Sequence, residues 1–155
     1  MATIHSVLVS VNEQVRAAID SERLERLASA VMEREGLPPG EVSVLITDDE
    51  TVRNLNREYA GEDRTTDVLA FSLTEGEEFA SPDGVLRLGE VIVSYPTALR
   101  QAGEAGRPVE DEIDHLLVHG VLHLLGYDHA ETAEAKRMRA RERELLAAIS
   151  WRDGL

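Results

Sequence analysis

At 155 residues the chain is long enough for one domain with its own hydrophobic core. It contains no cysteine, which excludes a disulfide framework, a thiolate metal site and a cysteine nucleophile. A formal net charge of −14 argues against broad electrostatic adhesion to nucleic acid or to an anionic membrane, though not against a local basic groove.

The N-terminal stretch MATIHSVLVSV lacks the basic region, apolar core and small-residue cleavage site of a signal peptide, and no apolar run approaches a membrane span. A cytoplasmic protein with no membrane partner is expected. In chain order, residues 4–11 read as a strand because Val7, Val9 and Val11 alternate with smaller or polar residues. Ser21 is the expected N-cap of a helix with Leu24, Leu27, Ala28, Val31 and Met32 on one stripe, stopped by Gly36 and the Pro38–Pro39 pair. Val42, Val44 and Ile46 alternate as a second strand. Thr47 and Glu50 form a capping-box pattern that opens a short helix through Leu55 toward Tyr59.

Residues 66–72 supply a third strand, and the turn-rich acidic stretch TEGEEFASPDG after it reads as an exposed loop. From Leu88 to Tyr95 a fourth strand carries Val91, Ile92 and Val93 in succession, a pattern of burial on both faces. Pro96 and Pro108 each suit the first position of a helix, and Glu110, Asp111 and Glu112 favour the positive end of the second. A last helix is expected from about Ala130 to Ile149, with Ala135, Met138, Leu145 and Ile149 on one stripe. Four strands mixed early with helices, followed by helices alone, describe an α+β fold in a single domain over residues 1–155. Arg137, Arg139, Arg141 and Arg143 are interleaved with Glu142 and Glu144, and they read as a solvated helix face.

The chemistry lies in HGVLHLLGYDH, residues 119–129. His119 and His123 are four residues apart, so a helix places both rings on one face. Gly126 can end that helix in a left-handed turn and return the chain so that His129 comes within reach. Three neutral imidazoles with an open fourth position are the ligand set of a catalytic zinc site, although other imidazole-binding metals remain open. The spacing is that of the metzincin peptidase frame HExxHxxGxxH, except that Gly120 stands where those enzymes carry a general-base Glu. The frame therefore predicts a metal-activated water and argues against the usual peptidase mechanism.

Asp128 either caps the last helix or assists at the metal, and Tyr127 either packs or donates toward the site. His115 shares the face of His119. On a straight helix it lies roughly 12 Å along the axis from His123, which suits a supporting role better than ligation.

With these residues in hand, the chain resembles the YbeY family of bacterial endoribonucleases and ribosomal-RNA maturation factors. The resemblance rests on HGVLHLLGYDH, on LNREYAGEDRTTDVLAF within residues 54–71, on LGEVIVS (88–94), on the HLLVHG lead-in and on HAETAEAKRM. It implies a small mixed four-stranded sheet flanked by about five helices, with the metal site on a helix of the C-terminal half. It implies one Zn2+ per chain on His119, His123 and His129. It further implies metal-dependent cleavage of single-stranded RNA in small-subunit rRNA 3′-end maturation and ribosome quality control, with rRNA and the small subunit or its associated factors as partners and no DNA.

The chain departs from the family pattern at Ala60, where the family carries an arginine implicated in its RNase activity, and at Thr65, where it carries proline. Arg57 and Arg64 are the nearby candidates for holding a phosphate in place of that arginine, and Asp128 is the candidate catalytic assistant. Two other readings stay open. One is a ribosome assembly factor whose metal is mainly structural; the other is a zinc peptidase.

Overall fold

The computed structural model describes residues 5–15, 19–62, 66–72, 85–127 and 131–149. In chain order the elements are β1 (Ser6–Val11), α1 (Ser21–Arg34), β2 (Gly40–Thr47), α2 (Asp49–Ala60), β3 (Val68–Ser72), β4 (Leu86–Ser94), α3 (Tyr95–Ala105), α4 (Val109–Leu124) and α5 (Thr132–Ala148). The strands form one mixed sheet in the order β1-β2-β4-β3. β1, β2 and β4 run parallel, and β3 pairs antiparallel to β4 along the far edge.

Alternation decides what each face of the sheet meets. Val42, Val44 and Ile46 of β2 and Val91 and Val93 of β4 point into the main core, where they join Leu24, Leu27 and Val31 of α1 and Leu117, Val118 and Val121 of α4. Burying each such side chain stabilises the fold by about 1.5–3 kcal/mol, which is why α1 and α4 lie against the sheet. On β3, Val68 and Ala70 pack on this core, so Phe71 faces the other way. There it meets Tyr59 of α2, with ring centroids 5.5 Å apart. Val91, Ile92 and Val93 are all buried, as expected of a strand covered on both faces.

The helix starts differ from the sequence reading by a residue or two. Asp20, not Ser21, caps α1, its carboxylate accepting from the Arg23 N–H at 3.2 Å. Asp48, not Thr47, caps α2 and accepts from the Thr51 N–H at 2.6 Å, while Thr47 remains the buried last residue of β2. Where two capping side chains are adjacent, the point at which the backbone leaves its extended conformation selects between them. Ser94 caps α3, so Pro96 follows Tyr95 in the first turn, and Pro108 is itself the cap of α4. The stretch TEGEEFASPDG lies outside the described residues.

Candidate metal centre

From Glu112 to Leu124 every residue of α4 is buried except His115, His119 and His123. These three recur every four residues, so the only solvent-facing stripe on this length of helix is a row of imidazoles. The His115 and His119 ring centroids are 6.4 Å apart. Against the row packs α5, and Glu142 lies between the first two rings. His115 Nε2 donates to Glu142 Oε1 and His119 Nδ1 to Glu142 Oε2, both at 2.8 Å.

Burial alone would push the Glu142 carboxyl up, but the hydrogen bonds from His115 and His119 outweigh it and hold the group at about 2. The same bond to Glu142 raises the His115 imidazole above its ordinary value, against the opposing effect of its burial. An ionised carboxylate accepts only, so His119 carries its proton on Nδ1 and its lone pair on Nε2. His123 repeats the pattern: its Nδ1 donates to the Tyr127 carbonyl at 3.1 Å, which leaves the lone pair on Nε2.

The turn after α4 supplies that carbonyl. The Gly126 N–H bonds to the His123 carbonyl and the Tyr127 N–H to the Leu122 carbonyl, both at 3.1 Å, the two hydrogen bonds of a Schellman cap. Gly126 has φ = 100°, a conformation that a side chain rarely adopts. The left-handed turn expected at Gly126 is therefore present. Tyr127 packs on the core and donates to Glu35 Oε2 at 3.3 Å, while Arg141 donates to Glu35 Oε1 at 2.6 Å. One carboxylate at the end of α1 thus anchors both the turn and α5.

A metal ion needs neutral imidazoles whose lone pairs are held in one orientation by a partner on the other ring nitrogen, and His119 and His123 fit that requirement. Among the described residues no three His, Cys, Asp or Glu side chains gather as a metal site. The third candidate ligand, His129, and the candidate assistant Asp128 lie outside the described residues, as does Arg64. Arg57 is in the last turn of α2 and donates to Asn54 Oδ1 at 3.0 Å; none of the contacts above joins it to the histidines. Ala60 is exposed at the end of the same helix.

Glu142, expected from the charge pattern on a solvated face, is buried. The signal was present: Met138, Glu142, Leu145 and Ile149 share one stripe, and all four are buried. A carboxylate in an apolar stripe requires a buried partner.

Comparison with known proteins agrees along most of the chain. The family described as "Endoribonuclease YbeY" matches residues 10–150. The protein named Endoribonuclease YbeY of Syntrophotalea carbinolica is 45% identical over 140 residues, covering 89% of this chain and 92% of that protein. Its namesake in Pelotomaculum thermopropionicum is 45% identical over 148 residues, covering 93% and 97%. The solution structure of TM1509 from Thermotoga maritima superposes with a TM-score of 0.59 at 25% identity, covering 97% of this chain and 93% of that one. Sequence and fold agree, and the chain belongs to the Endoribonuclease YbeY family.

Proposed function

We propose that the chain is a zinc-dependent endoribonuclease that hydrolyses single-stranded RNA, with His119, His123 and His129 as the metal ligands. The observation that carries this reading is the pair of imidazoles whose Nδ1 protons are held by Glu142 and by the Tyr127 carbonyl, on the solvent-facing stripe of α4 between Glu112 and Leu124. When bound, the ion supplies Lewis acidity toward water and toward a phosphoryl oxygen.

The chain's own residues supply the rest. Glu142 fixes the tautomer and ring direction of His119, and the Gly126 turn aims the Tyr127 carbonyl at His123. Asp128, next in sequence, is proposed to move a proton during hydrolysis, and Arg57 and Arg64 to bind phosphate. The substrate is proposed to be the small-subunit rRNA 3′ end, and the setting ribosome maturation and quality control in the cytoplasm. No helix among the described residues is long and apolar enough to cross a membrane.

The peptidase reading loses support at Gly120. The position that would carry a general-base Glu faces the sheet, where even a Cβ would meet Val91 Cγ1 at 2.5 Å. Ala60, a methyl group at the end of α2, favours the assembly-factor reading.

Metal-loaded wild type and His123→Ala, each assayed on a single-stranded RNA carrying an rRNA 3′ end, separate these possibilities. Cleavage by wild type alone supports the nuclease. Equal cleavage by both overturns the metal site. No cleavage by either, with ribosomal-subunit binding retained, would favour the assembly factor, and Ala60→Arg would then be the rescue test.

A further inference from the structure

Beside the histidines is a cavity of about 270 Å³ lined by His115, His119, Ala135, Met138, Arg139 and Glu142. Arg139 is exposed at its edge and belongs to a second stripe on α5. Lys136, Arg139 and Arg143 are spaced i, i+3 and i+7, all three are exposed, and they cover about 10 Å of helix at 1.5 Å per residue.

Like charges at this spacing repel by a few tenths of a kcal/mol per pair, and helices usually relieve such pairs with carboxylates three or four residues away. This stripe has no such relief. Among all the positions three or four residues from Lys136, Arg139 or Arg143, the single carboxylate is Glu142, which is already bonded to His115 and His119. Of the two other arginines on this part of α5, Arg141 is held by Glu35 and Glu144, and Arg137 lies on another face, three residues after Glu134. Among the described residues no ion pair involves Lys136, Arg139 or Arg143. In a chain of net charge −14, three neighbouring cations with no ion pair among the described residues, reaching the rim of the His119 cavity, form a patch suited to an anionic polymer.

We infer that Lys136, Arg139 and Arg143 form a track for the backbone of single-stranded RNA that leads its phosphates to the histidine centre. The inference rests on the proposed nuclease reading and specifies where the substrate runs. Arg139, at the rim of the cavity, holds the phosphate nearest His119; Lys136 and Arg143 hold those on either side. The contacts are to phosphate, so the track contributes affinity and direction but no base preference.

The test is fluorescence anisotropy of a labelled single-stranded RNA, titrated over a range of salt with metal-free protein so that metal-dependent hydrolysis does not consume the probe. Lys136→Glu/Arg139→Glu/Arg143→Glu is expected to bind roughly a hundredfold more weakly at low salt, and the slope of log K against log salt to shrink by about 2, near 0.7 per lost phosphate contact. Arg26→Glu, a single exposed charge reversal on α1, is expected to change affinity by less than about threefold, which sets the effect of one reversal away from the track. Arg139→Ala and Arg143→Ala, each expected to weaken binding severalfold, keep the test open if the triple variant does not fold. Wild-type affinity and slope in these variants, from a wild type that cleaves RNA, would overturn the track alone. A wild type that neither binds nor cleaves RNA would overturn the nuclease reading with it.

Discussion

Gly120 backs onto Val91 so closely that a Cβ built on the glycine would lie 2.5 Å from Val91 Cγ1. Val91 is fully buried in the centre of β4, so its methyls have nowhere to move. An interior helical glycine costs about 1 kcal/mol relative to alanine, and here that cost permits α4 to lie on the sheet with its histidines turned outward. Gly120→Ala is therefore expected to destabilise the protein by about 1–3 kcal/mol despite its better helix propensity. Adding Val91→Ala should recover part of the loss, a coupling that urea denaturation of the double-mutant cycle measures. Stability equal to wild type in Gly120→Ala would show that the contact does not limit packing.

Removing Glu142 should damage stability and metal affinity together. Glu142→Ala leaves two inward-facing N–H groups without their acceptor and is expected to cost about 2–4 kcal/mol. Zinc affinity should fall about 10–100-fold as His119 loses its fixed tautomer. Glu142→Gln, which retains one acceptor oxygen, should lie between the two in both respects. Competition titration against a zinc indicator reads the affinity, and an unchanged value in Glu142→Ala would remove Glu142 from the centre's support.

Zinc itself should stabilise the native chain. A ligand that binds only the folded state adds about 2.7 kcal/mol at a hundred times its Kd. A thermal scan of wild type with and without zinc should show this as a rise in Tm that chelator reverses. His119→Ala and His123→Ala should each abolish most of the rise. A full zinc-dependent shift in both variants would place the metal elsewhere.

A separate prediction concerns acid. Burial pushes the Asp49 carboxyl up, but hydrogen bonds from Ser94, Thr97 and Arg100 outweigh it and hold the group below its ordinary value of 3.8. Thr97 donates at 2.6 Å and Arg100 at 3.2 Å, joining the start of α2 to the start of α3. A depressed carboxylate contributes stability that is present above its unfolded value and lost as pH falls through the folded one. Asp49→Asn should thus be less stable than wild type by about 1 kcal/mol at neutral pH, a gap that closes below about pH 4. A gap that persists unchanged in strong acid would mean that shape rather than charge holds the network.

How much of this was legible in the residues follows from the range of the forces involved. The apolar stripe of α1, the alternation of β2 and the triple valine–isoleucine run of β4 are local periodicities, and each element formed where its pattern lay. His119 and His123 share a face because four residues make nearly one helical turn, and Gly126 turns left-handed because it has no Cβ to oppose it. These features belonged to the sequence itself.

Only the tertiary structure decided the strand order, which brings β4 between β2 and β3 although β3 precedes it in the chain. It also decided why glycine follows His119, since the reason is Val91, 29 residues earlier on another element. The charge pattern around Glu142 reads as a solvated face; packing of α5 against α4 turns it inward to His115 and His119, 27 and 23 residues away. A carboxylate's partner is set by where two helices meet, and periodicity within one helix carries no information about the other.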